Sequence, residues 1–76
     1  MYIIIEYVLK KAYNCSLGTL HEGGEIRVMT YNGQPVVFYD GGMCDGSYGD
    51  VLLNLINDKK LHNEYLIDRE VIKNKV

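Results

Sequence analysis

A chain of 76 residues and 8.7 kDa suffices for one small domain, which buries only roughly 60% of the surface its unfolded form exposes. With 47% apolar residues, 24% charged residues and a single Pro, the composition is too apolar for a disordered chain. Eight Lys and Arg against ten Asp and Glu leave a net charge of -2, which excludes a polyanion-binding arm and falls short of a nucleic-acid mimic.

The longest apolar run, Tyr2 to Leu9, is interrupted by Glu6 and lies far below the roughly 20 residues of a membrane span. No basic n-region precedes it as in a signal peptide, so the expected location is the cytoplasm, with no membrane partner. In that reducing compartment Cys15 and Cys44 are expected as free thiols. Neither an internal repeat nor a linker interrupts residues 1–76, which are read as a single domain.

The first element is a strand from Tyr2 to Lys10. Alternation puts Ile3, Ile5, Tyr7 and Leu9 on one face and Tyr2, Ile4, Glu6, Val8 and Lys10 on the other. Both faces are largely apolar, as in a central strand covered twice or one with a face covered by a second subunit. Residues 11–24, with Leu17, Leu20 and the Gly23-Gly24 pair, read as a long loop or one short turn element.

Asn32-Gly33, between the alternating runs Glu25–Tyr31 and Gln34–Asp40, is the residue pair a type I′ turn requires, because both central positions need φ > 0. A two-residue loop fixes the register, so Tyr31 faces Gln34, Met29 faces Val36 and Arg27 faces Phe38. One hairpin face then carries Ile26, Val28, Thr30, Pro35, Val37 and Tyr39 and is predicted to line the core. The other carries Met29, Tyr31, Val36 and Phe38, with Glu25, Arg27, Gln34 and Asp40 around it. Pro35 would aim its missing N–H away from the hairpin partner, which marks an edge there.

Beyond the Gly-rich stretch 41–46, Ser47 and Asp50 resemble a capping box, and Tyr48, Val51, Leu52, Leu55 and Ile56 follow helical spacing. A helix is expected over about 47–58. Residues 61–76 are expected to hold a final strand, with a second short helix as the alternative. The predicted fold is α+β: an antiparallel sheet of three or four strands around the 25–40 hairpin, packed with one helix, with an SH3-like curled half-barrel as the variant.

Several chemistries fail on spacing. Cys15, His21, Cys44 and His62 are zinc-type ligands, but no C-x-x-C or H-x3-H pair places two of them on one turn, so no metal is expected. Cys44 with His21 or His62 as base and Asp45 as orienter lacks any signature, and the reading is non-enzymatic, with no cofactor. The stretch 40–50 holds three Asp and four Gly without an EF-hand pattern. Its Gly41, Gly42, Gly46 and Ser47 could offer backbone N–H groups to a phosphate or nucleotide, which is the alternative function. Basic runs stop at two residues, Lys10-Lys11 and Lys59-Lys60, so nucleic acid is not the expected partner.

The main functional expectation rests on Arg27, Met29, Tyr31, Val36 and Phe38. Tyr, Phe, Met and Arg are enriched at interfaces, and an apolar centre with a charged rim is interface anatomy. The chain is therefore read as a small interaction protein and homo-oligomer. Its general look, a very small chain rich in Ile, Asn, Lys and Tyr that carries no catalytic signature, is similar to accessory proteins of phages and mobile elements. That similarity implies binding or inhibition of a host protein.

Overall fold

A computed structural model describes the backbone of residues 2–16 and 18–74 and the side chains of 3–16 and 18–69; Leu17 and the side chain of Tyr2 lie outside it. The elements, in chain order, are β1 (Tyr2–Leu9), β2 (Tyr13–Cys15), β3 (Gly18–Leu20), β4 (Glu25–Tyr31), β5 (Gln34–Tyr39), β6 (Gly42–Cys44), α1 (Gly46–Asn57), α2 (Lys59–Tyr65) and β7 (Leu66–Asn74). The fold is α+β, with a five-stranded antiparallel sheet of order β6-β5-β4-β1-β7 and a separate β2-β3 pair. The sheet thus has five strands rather than three or four. It is open, ending at β6 and β7.

The β4-β5 hairpin has the expected register, Tyr31 opposite Gln34 through Ile26 opposite Tyr39. Asn32 and Gly33 take φ of 51° and 76°, the left-handed values of a type I′ turn. Asp40 and Gly41 repeat this chemistry at 49° and 86°, turning β5 back into β6 where a loop was expected. β6 pairs only with Val37–Tyr39, so the sheet ends before Pro35, as its missing N–H demands.

β1 is the hub. It pairs with β4, Ile4 opposite Met29 and Glu6 opposite Arg27, and with β7, where a bulge falls between Glu6 and Tyr7. Its first face joins the core: Tyr7, Leu9, Leu20, Ile26, Val28, Val37, Leu52, Leu55 and Leu66 form one buried cluster. Of the residues expected in that core, Ile26, Val28 and Val37 are buried, Thr30 and Tyr39 half-buried, and Pro35 at the hairpin tip is exposed.

Both helices pack on this same face, α1 through Leu52 and Leu55, α2 through Leu61 and Tyr65. α1 begins at Gly46 behind Asp45, which makes no side-chain cap bond, so Ser47 lies inside the helix and the expected capping box does not form. Asp58 closes α1 and opens α2, accepting from the backbone N–H of Lys60 and Leu61. The C-terminal segment therefore holds both a second helix and a final strand. Within 11–24, where a long loop or one short turn element was expected, Tyr13–Cys15 and Gly18–Leu20 pair as β2 and β3, with Leu20 in the core and Tyr13 edge-on to Tyr65 of α2, ring centroids 4.8 Å apart. No helix among the described residues is long and apolar enough to cross a membrane.

Candidate functional site

Among the described residues, no helix packs on the second face of the sheet. Strand alternation puts Ile4, Glu6 and Val8 of β1, Glu25, Arg27, Met29 and Tyr31 of β4, and Val36 and Phe38 of β5 on it. Met43 opposite Phe38 and Ile67 opposite Val8 extend the face to β6 and β7. A depression of about 520 Å³ lies at its centre, lined by Ile4, Glu6, Glu25, Arg27, Met29, Phe38, Asp40 and Gly41.

All five residues expected to bind a partner, Arg27, Met29, Tyr31, Val36 and Phe38, therefore belong to one uncovered surface. Sequence reasoning missed its β1 half and the ion pair at its middle. Glu6 is 6% exposed, the one charged residue in the buried set. Arg27 donates from Nε to Glu6 Oε1 at 3.0 Å and from Nη2 to the same oxygen. A carboxylate this far from water requires such a partner, since burial of an unpaired charge is costly.

Further ion pairs ring the depression. Arg69 Nη1 reaches Glu25 Oε2 at 3.0 Å across β1. Asp40 Oδ1 accepts from the backbone N–H of Glu25 at 2.9 Å, and its Oδ2 sits 2.6 Å from His21 Nε2. These contacts, the backbone N–H of Glu25 first and the imidazole second, hold the Asp40 carboxyl below its ordinary value. His21 is raised, first by its bond to the Glu22 carbonyl and then by Asp40.

The residues considered for a ligand, Gly41, Gly42, Gly46 and Ser47, are not gathered into one site. Gly41 lines the central depression, whereas Gly46 lines a separate cleft of about 290 Å³ beside α1 with Met43, Cys44 and Leu53. Asp45 and Asp50 also line that cleft and oppose an anion there. Cys44 donates toward the Gly42 carbonyl at 3.6 Å, and burial raises its thiol above the ordinary value, the opposite of thiolate activation. His62 is engaged by Asp68 at 2.5 Å and the Ile56 carbonyl at 2.7 Å. Among the described residues no group of three or more His, Cys, Asp or Glu is placed to hold a metal ion.

Comparison with protein-family models, with curated proteins and with solved structures finds no match to this chain.

Proposed function

We propose that this chain is a non-enzymatic interaction protein whose uncovered sheet face is the contact surface for another protein chain. One observation carries the reading. Among the described residues, the three large apolar side chains left exposed, Tyr31 (55%), Met43 (64%) and Ile67 (52%), all belong to this one face. Scattered surface apolar residues are ordinary, but these three stand at the rim of one face, Met43 and Ile67 on its two edge strands and Tyr31 at one end, around a half-buried apolar centre of Ile4, Met29, Val36 and Phe38, which supports reading it as a contact surface. The partner is a second copy of the chain or, for an accessory protein of the phage type working in the cytoplasm, a host protein that it binds or inhibits.

The test is native mass spectrometry of the chain isolated from its own cells, with Met29→Asp and Phe38→Asp beside the wild type. Wild type is expected to carry a bound chain, and both variants to remain folded by circular dichroism and run as bare monomers. Unchanged mass and partners in both variants would sink the reading.

A further inference from the structure

We infer that Asn32-Gly33, at the tip of the β4-β5 hairpin, is a site of spontaneous covalent modification. The Asn32 side-chain amide is lost to attack by the Gly33 nitrogen, and the isoaspartyl product uncouples the tip of the hairpin.

The chemistry needs only water. The backbone nitrogen of Gly33 gives up its proton and attacks Cγ of Asn32; a C–N bond forms, the Cγ–Nδ2 bond breaks, and the amide nitrogen leaves with that proton as ammonia. Water then opens the five-membered imide at either carbonyl. Opening at Cγ yields an aspartyl residue. Opening at the main-chain carbonyl yields an isoaspartyl residue, whose backbone runs on through Cβ and Cγ and is longer by a methylene. Either product replaces an amide by a carboxylate, so the chain becomes one unit more negative than its net charge of -2.

Asn is a labile side chain, and this turn selects one copy of it. Asn32 alone among the asparagines is followed by Gly, which has no side chain to obstruct the attacking nitrogen. Both residues are exposed, and among the described residues neither the Asn32 amide nor the Gly33 N–H makes a hydrogen bond. The attack needs the turn to open briefly. On the β5 side the tip is an open edge, since β6 pairs only with Val37–Tyr39, and Tyr31, Gln34 and Pro35 are exposed, so opening breaks few contacts.

Comparable positions elsewhere are guarded. Asp40-Gly41 has the same left-handed pair, but Asp40 Oδ1 is held by the Glu25 N–H at 2.9 Å and Oδ2 by His21 Nε2 at 2.6 Å, and a carboxylate is a poorer electrophile than an amide. Asn14 precedes Cys15, and its Oδ1 accepts from the Thr19 hydroxyl at 2.7 Å. Asn54, Asn57 and Asn63 lie within α1 and α2, ahead of Leu55, Asp58 and Glu64. Asp40-Gly41 also separates the two products. Because an Asp-Gly pair turns β5 into β6, an aspartyl residue at position 32 can keep the hairpin. The isoaspartyl product lengthens a two-residue turn, and the pairing of Tyr31 with Gln34 and of Thr30 with Pro35 depends on that length.

The experiment holds the purified wild-type chain for several days in mildly alkaline and in mildly acid buffer, with Asn32→Asp and Asn32→Gln treated alike. Mass spectrometry with fragmentation places each gain of about 1 Da, and methylation by a protein isoaspartyl methyltransferase counts isoaspartyl groups. Urea unfolding follows the fold. Wild type is expected to gain mass at Asn32 ahead of every other Asn, faster in the alkaline buffer, with no isoaspartyl signal from position 32 in Asn32→Gln. The isoaspartyl fraction is expected to unfold at lower urea, while fresh Asn32→Asp unfolds close to the fresh wild type. A wild type left unmodified by the alkaline buffer, or one modified first at another Asn, overturns the inference. So does an isoaspartyl product at position 32 whose urea midpoint equals that of the fresh chain.

Discussion

Glu6 and Arg27 stand opposite each other on the two central strands, and their side chains join on the face that no helix covers. The carboxylate is 8% exposed while the guanidinium is 52% exposed, so the pair is asymmetric, a sealed acid held by a cation that still reaches solvent. Removing the cation is therefore the harsher change. Arg27→Met leaves a buried carboxylate without its guanidinium and is expected to cost about 1–3 kcal/mol. Glu6→Leu combined with Arg27→Met removes both charges and is expected to recover most of that loss. Urea unfolding of both variants and of Glu6→Leu alone at one concentration checks this; a cost for Arg27→Met below about 0.5 kcal/mol would class the pair with ordinary surface ion pairs.

How far the sequence made the fold legible follows from the range of each signal. Asn32-Gly33 is a local instruction, and with it the register from Ile26 to Tyr39 could be read in full. Asp40-Gly41 is an equally local signal, but its reading as the start of a Gly-rich loop hid β6. Asp58 likewise acts as an N-cap for α2 at a place where the apolar stripe of α1 had run out. By contrast the pairing of β1 between β4 and β7 joins segments far apart in sequence. No local residue encodes that Glu6 meets Arg27, so half of the candidate face was out of reach. That Met29, Tyr31, Val36 and Phe38 share one face of β4 and β5 followed from the Asn32-Gly33 register, whereas whether the chain covers that face itself depends on which side α1 and α2 take, which no local signal encodes.

Gly24 sits where a β-carbon has no room. One built there would stand 2.8 Å from Tyr39 Cε1, 2.9 Å from its hydroxyl and 3.0 Å from the His21 carbonyl. The Tyr39 hydroxyl cannot easily yield, since it accepts from the backbone N–H of His21 at 3.0 Å. Gly24→Ala is expected to destabilise by about 1–3 kcal/mol through displacement of the ring. Tyr39→Phe loses only the hydrogen bond, about 1 kcal/mol. Because Gly24→Ala already disturbs that bond, the double variant is expected to cost less than the two single losses together, a coupling that a double-mutant cycle by urea unfolding measures.

His62 sets a pH dependence of folding. Nδ1 bonds the Ile56 carbonyl near the end of α1, and Nε2 bonds Asp68 on β7, so one ring from α2 clasps three elements. Its edge lies against Tyr7, ring centroids 5.2 Å apart, and the Lys10 cation opposes its charge. The Ile56 carbonyl first and Asp68 after it raise the imidazole above its ordinary 6.5. A group whose folded pKa exceeds its unfolded value binds more protons in the native state, so stability is lost as pH rises. The contribution is whole below about 6.5 and disappears through the raised folded value. His62→Gln keeps a polar side chain without the titration and is expected to abolish this slope while costing about 1 kcal/mol at acid pH, where the charge-assisted bonds are lost under partial solvent screening. Thermal unfolding of both proteins between about pH 5.5 and 9 decides it: equal slopes in variant and wild type would assign the pH dependence to another group.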